Sequence, residues 1–279
     1  MHLLGYSALV YVRPIMDGEP LHKMLAGLDG NDVTYALRLG ASTLPLNERI
    51  GGVFTIRFTG ARTCMSCGKR VKKFYGQGLC WPCLTSAPEA SECIVRPELC
   101  RAHLGEGRDP QWEKNHHLQE HFVYLSQTGG IKVGVTRSTQ VPVRWIDQGA
   151  VLAVLIARTP YRQLAGAIEV DLKRTLADKT DWRRMLQQVE PDPDALLATR
   201  DAAVRGVAPE LLQWMLPNEA PRTLTYPLPG SLPKVTSVSF DKLAEVSGRL
   251  HGIKGQYLLW ADGRVLNVRN HSGYHVEVE

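Results

Sequence analysis

The sequence has no run of apolar residues approaching the ~18 needed to cross a bilayer as a helix. It has no internal repeat and no low-complexity tract, which excludes a solenoid or a tail-like chain. Acidic residues are missing altogether between positions 49 and 88, where seven basic ones stand: Arg49, Arg57, Arg62, Lys69, Arg70, Lys72 and Lys73. Cysteine is scarce. There are six in 279 residues, and all fall between Cys64 and Cys100. The start, Met1 to Arg13, is apolar but has neither a basic leader region nor a cleavage pattern, so it reads as a first strand and not a signal peptide. A soluble, cytoplasmic protein with no membrane association is expected.

What is present is the composition of a folded protein, 44% hydrophobic and 22% charged. At roughly 100–200 residues per domain the length suggests two or three compact units. The formal net charge is +5. Because the seven-residue basic stretch holds no acid, the rest of the chain sums to −2.

The pattern along the chain is α+β. Residues 1–61 read as an antiparallel sheet, with Val33–Leu39 and Gly52–Phe58 as strands. Residues 62–118 form a cysteine-rich module. In 119–190 a hairpin (Phe122–Leu125, Gly129-Gly130, Ile131–Val135) precedes a strand at Ala150–Ile156. An amphipathic helix over 160–177 follows, with Leu164, Ile168, Leu172 and Leu176 four apart and Thr159-Pro160 as its start signal. Residues 191–232 are a helical, then Pro-punctuated connector. Residues 233–279 read as a small β meander or barrel, turning at Asp262-Gly263.

Cys64-x2-Cys67 and Cys80-x2-Cys83 each present a pair of sulfurs, and two such pairs complete a closed tetrahedral Zn2+ site. Gly68 and Gly78 suit the tight turns of such knuckles. Between the pairs stands Lys69-Arg70-x-Lys72-Lys73-Phe74-Tyr75. Those cations either meet phosphates beside base-stacking aromatics, or solvate the loop and offset an anionic zinc centre. Cys93, Cys100, His103 and His117, with His116 as an alternative, form a looser set. It is open between a second zinc site and buried thiols beside surface histidines.

The segment His121-Phe-Val-Tyr-Leu125, Ile131-Lys-Val-Gly-Val-Thr-Arg137, Arg144-Trp145 and a helix bearing Glu169 resembles the core of the GIY-YIG endonucleases. It is closer to the subgroup with Lys-Ile-Gly as the second triplet. The whole chain is also similar to an uncharacterised prokaryotic domain-of-unknown-function family. The blocks that carry this are Lys132–Arg137, Arg144–Ala150 and Asp178–Trp182, together with the cysteine segment. The nuclease resemblance implies phosphodiester hydrolysis. Tyr124 and Lys132 would take the proton-transfer positions, Arg144 would stabilise developing charge, and Glu169 would hold a Mg2+ or Mn2+ ion. Arg137 adds a cation for nucleic acid beside these. The sequence departs from the pattern at Phe122-Val-Tyr124 and at Lys132. No Asn closes the core, though Asp178 and Thr180 stand nearby. The leading function is a metal-dependent nuclease; its rivals are a non-catalytic RNA or DNA binder that uses Lys132 and Arg144 to hold a phosphate, and a zinc-dependent assembly factor that touches only protein. On the C-terminal strands, Arg264, Arg269, His271 and Tyr274 are read as either a ligand-facing patch or part of a docking module.

Overall fold

The structure is a computed structural model that describes residues 18–176 and 181–279. The expected strand over Met1–Arg13 and the positions Asp178 and Thr180 lie outside the described residues. In chain order the strands are β1 (Glu19–Pro20), β2 (Leu25–Asp29), β3 (Asp32–Leu39), β4 (Ser42–Pro45), β5 (Val53–Arg62), β6 (His121–Gln127), β7 (Ile131–Arg137), β8 (Leu152–Thr159), β9 (Arg222–Thr223), β10 (Thr236–Val238), β11 (Glu245–Lys254), β12 (Tyr257–Trp260), β13 (Arg264–Asn267) and β14 (Tyr274–Val278). The helices are α1 (Trp81–Ser86), α2 (Pro110–His116), α3 (Val143–Asp147), α4 (Arg162–Lys173), α5 (Trp182–Met185) and α6 (Pro193–Val204).

Three sheets organise these elements. The largest has seven strands in the order β1-β14-β5-β11-β12-β13-β10. A meander β2-β3-β4 and a four-stranded sheet β7-β6-β8-β9 complete the set. In β3 the residues Val33, Tyr35, Leu37 and Leu39 are buried while Thr34 and Arg38 are exposed, the alternation of a half-buried strand. Sequence reading assigned 1–61 and 233–279 to separate modules. The backbone corrects this, because β5 pairs antiparallel with both β11 and β14, so its two hydrogen-bonding edges belong to the chain's last fifty residues. Strands β12 and β13 pair about the expected Asp262-Gly263 turn, and β11 joins them on the other side of β12, but the third strand expected in this meander, Tyr274–Val278, pairs with β1 and β5 instead.

Hairpin β6–β7 runs in unbroken register from His121↔Arg137 to Gln127↔Ile131, and β8 pairs along the other edge of β6. Val123, Leu125 and Val133 pack with Ile168 and Leu172 of α4, each contributing about 1.5–3 kcal/mol by leaving water. Helix α4 starts later than expected. Its N-cap is Tyr161, and Thr159 ends β8 with its hydroxyl donating to the carbonyls of His121 and Tyr161. The Pro-punctuated connector is not a free linker. It adds β9 to the edge of β8, and Tyr226 donates its hydroxyl to the Ala150 carbonyl.

Candidate metal centre and cationic groove

The cysteine knuckle hangs from the end of β5. Cys64, Cys67, Cys80 and Cys83 bring their sulfurs within 4.8 Å of one another. Cys67 and Cys80 sulfurs are 3.9 Å apart, far from the ~2.05 Å of a disulfide and close to the ~3.8 Å edge of a tetrahedron built on Zn–S bonds. All six cysteines are free thiols. Main-chain N–H groups turn toward the sulfurs, and the Cys80 N–H donates to Cys64 Sγ at 3.3 Å. Gly68 and Gly78 sit at φ +69° and +76°, the left-handed turns that the two knuckles require. Burial raises the Cys64 thiol, but the N–H groups of Cys67, Cys80 and Ser66 outweigh it and bring it down to about 6. Cys83, sharing a hydrogen bond with Cys80, is pushed up to about 12. This donor set fits a metal ion such as zinc, with no position left open for a substrate.

A second cluster gathers Cys93, Cys100, Glu113 and His117, again with donor atoms within 4.8 Å of one another. His103, expected there, is elsewhere. Its ring stacks on Tyr161 at 4.9 Å, and Glu113 occupies the fourth place. Glu113 and His117 are one turn apart along α2 and its C-cap, a helix started by Asp109, whose carboxylate accepts from the N–H groups of Gln111 and Trp112. His116 turns away, its Nδ1–H donating to the Trp112 carbonyl at 2.7 Å.

Between the knuckle and β7 runs a groove. Two adjoining cavities, about 390 and 360 Å3, share Lys23, Gln77 and Arg269. The first adds His22, Arg38 and the knuckle's Met65; the second adds Arg137, Arg144 and Arg162 beside Trp112 and His116. Its acids are Glu89 and Asp147, and Asp147 is engaged by Lys23 at 2.8 Å and by Gln256. Five arginines therefore line the groove, of which Arg162 is held by the carbonyls of Cys93 and Ile94. Burial lowers the pKa of Arg137 and Arg162, yet guanidinium stays charged at any physiological pH. Burial and then Arg38 lower the His22 imidazole. Trp112 and His116 stack at 4.0 Å with 10° between their planes, giving this cationic wall an aromatic one.

The residues expected to be catalytic divide. Arg144 lines the groove. Tyr124 is fully buried, its ring lies across Gly134, and its hydroxyl donates to Gln148 at 2.7 Å. Burial raises its phenol, with Arg144 opposing and Glu169 adding to the shift. Glu169 is buried on α4 and pairs with Lys173 at 3.5 Å; among the described residues it belongs to neither metal-ligating cluster. Lys132 sits on β7 opposite Ser126 and lines neither cavity. Of the expected nucleic-acid contacts, Arg137 lines the groove, whereas Lys69, Arg70, Lys72 and Lys73 are exposed on the knuckle, with Lys73 over the Tyr75 ring. Arg269 lines the groove and Arg264 pairs with Asp262, while His271 and Tyr274 are buried in an aromatic cluster with Phe240. Sequence reading missed Lys23, Arg38 and Arg162, which carry no local motif.

An α+β chain of several sheets with a four-cysteine cluster able to hold zinc is thus the class defined here, and no described helix is long and apolar enough to cross a membrane. The chain belongs to the family described as "Protein of unknown function (DUF2797)", which it matches over residues 51–276. No curated protein and no solved structure matches it.

Proposed function

We propose that this is a zinc-stabilised nucleic-acid-binding protein that holds a single strand in the groove between the cysteine knuckle and a GIY-YIG-like core. The observation that carries the reading is the lining: Arg38, Arg137, Arg144, Arg162 and Arg269 along two adjoining cavities, with Trp112 and His116 stacked beside them. Guanidinium groups bind phosphate as charged forks, and aromatic faces accept bases of any identity. Each cavity has the volume of a small-ligand site, suited to a nucleotide unit and not to the width of a duplex.

The order hairpin, helix, strand, helix over 121–173 supports the GIY-YIG-like reading of the core. Binding is favoured over cleavage because the Tyr124 hydroxyl is buried and satisfied by Gln148, and Arg144 alone of the four expected catalytic groups reaches the groove. Hydrolysis by a Mg2+ or Mn2+ ion on Glu169 is the second reading. It is favoured by Arg144, the expected charge-stabilising group, lining the groove.

The test is fluorescence anisotropy of short labelled RNA and DNA strands across a KCl series, with a gel assay in Mg2+ or Mn2+ alongside. Four arginine contacts, leaving out Arg162 because its guanidinium is held by the carbonyls of Cys93 and Ile94, predict a slope of log K against log salt of about −2.8, reduced in magnitude by about 0.7 for Arg144→Ala. Binding without cutting is the expected result. Cutting that disappears in Glu169→Gln would establish the nuclease instead. Absence of salt-dependent binding would overturn both.

A further inference from the structure

We infer that Cys93, Cys100, Glu113 and His117 form a second zinc site whose task is to hold the aromatic stack and Arg162 in place along the groove; its role in the groove rests on the reading above, its metal does not. The donor geometry comes first. His117 Nδ1 lies 3.5 Å from Cys100 Sγ and 3.9 Å from Cys93 Sγ, against about 3.6 Å for S···N in a tetrahedron of Zn–S and Zn–N bonds. Glu113 Oε2 packs against the same Nδ1, yet it is buried and makes no hydrogen bond. A nitrogen, an oxygen and two sulfurs thus crowd one point. Cys100, Glu113 and His117 are buried, so water does not compensate them.

Charge closes the argument. Two thiolates, one carboxylate and a neutral imidazole leave Zn2+ with a formal −1, and the neighbouring cation is Arg162. Its guanidinium donates to the carbonyls of Cys93 and Ile94 at 2.9 Å, and its own N–H donates to the His117 carbonyl. Two sulfurs, a nitrogen and an oxygen are a borderline-soft set that selects zinc over Mg2+ or Ca2+. With four protein ligands the site has no open position, which makes it structural.

Its placement gives it a job. Glu113 and His117 lie on one side of α2 and its C-cap, while Trp112 and His116, one residue earlier in each turn, form the stacked wall of the groove. The carbonyls of Cys93 and Ile94 hold the guanidinium of Arg162, which lines the same cavity as that stack. The segment around Cys100 is in turn pressed onto α4, since a Cβ at Gly166 would overlap the backbone of Pro97 and Glu98. One metal ion therefore joins the aromatic wall, a groove arginine and the α4 core.

The experiment is zinc stoichiometry of the full chain after gel filtration with a weak chelator, with hydrogen exchange of the peptide spanning 110–117 and anisotropy of a labelled RNA strand. Wild type should carry two zinc ions, as should His103→Ala. Glu113→Gln and Cys100→Ser should each fall to about one, exchange faster over 110–117, and bind RNA about tenfold more weakly. Glu113→Gln is nearly isosteric, so it answers the question should Cys100→Ser misfold. A single zinc in wild type, with Cys93 and Cys100 open to alkylation in the folded chain, overturns the site. So does Glu113→Gln retaining two. If wild type holds two ions but binds no RNA, the metal site stands and the groove reading fails, while exchange over 110–117 still decides whether the ion orders α2.

Discussion

Replacing Gly134 by Ala tests how Tyr124 is packed in the core. The hairpin register sets Gly134 directly opposite Tyr124, and a Cβ there would stand 2.6 Å from both Cζ and Oη of the phenol. Ordinary contact begins nearly an ångström further out. The ring is fully buried, so it has no solvent to swing into, and its hydroxyl is held by Gln148. Overpacking of this kind costs ~1–3 kcal/mol, and a disturbed hydrogen bond adds about 1. Reduced freedom of the unfolded chain returns about 0.5–1 kcal/mol. The net loss is about 2 kcal/mol, or about 4–8 °C in Tm for a chain of this size. Urea or thermal unfolding of Gly134→Ala should show it, whereas Gly130→Ala, where a Cβ meets nothing within 4 Å, should stay within about 0.5 kcal/mol of wild type. In a Tyr124→Leu background the penalty should shrink by more than about 1 kcal/mol, since the two sites are in contact. Equal effects of Gly134→Ala and Gly130→Ala, or strict additivity with Tyr124→Leu, would refute the reasoning.

Gly166→Ala should destabilise more than Gly134→Ala, because the added carbon meets backbone at Pro97 and Glu98 and not a side chain; differential scanning calorimetry reads the difference. Lys254 is buried, with its ammonium donating to the Gln187 carbonyl, and burial lowers its pKa to about 8. Between about pH 8 and 10.5 the unfolded chain therefore binds more protons at this site, so stability rises with pH there, and the burial cost is fully present below pH 8. Urea unfolding of wild type and Lys254→Met should show wild type gaining on the order of 2–3 kcal/mol relative to the variant from pH 7.5 to 10.5. A flat difference would count against a charged, desolvated lysine. Cys67→Ser should lose the knuckle's zinc and lower Tm with the second cluster still loaded, as metal analysis will read.

How much of this was legible in the sequence depends on the range of the interactions. The four knuckle cysteines were readable because chelation by Cys-x2-Cys is local and the turn glycines stand beside the ligands. Hairpin β6–β7 and helix α4 were readable from period-two and period-four apolar patterns. Glu113 was missed although a signal existed: with His117 it makes an i, i+4 pair just after the Asp109-Pro110 helix start, a spacing that puts both donors on one side. His103 looked equivalent by spacing alone, and only the packing of Tyr161 removes it. The groove was not legible as a whole, because Lys23, Arg38, Arg144, Arg162 and Arg269 come from five different elements and loops of the chain. The same holds for β5, whose partner β11 lies nearly two hundred residues away and whose partner β14 lies more than two hundred away. Burial of Tyr124 is likewise a product of the close pack against Gly134 and Trp145, not of any motif.

The proposed path of a nucleic-acid strand runs through the arginine groove, past Trp112, Arg144 and Arg269. Photocrosslinking of the zinc-loaded chain to an RNA strand carrying 4-thiouridine, mapped by mass spectrometry, tests it most directly. The prediction is crosslinks in the peptides that hold Trp112, Arg144 and Arg269, weakened by Arg144→Ala and by raised salt. Crosslinks confined to the exposed knuckle lysines, or spread over the β2-β3-β4 meander, would contradict it.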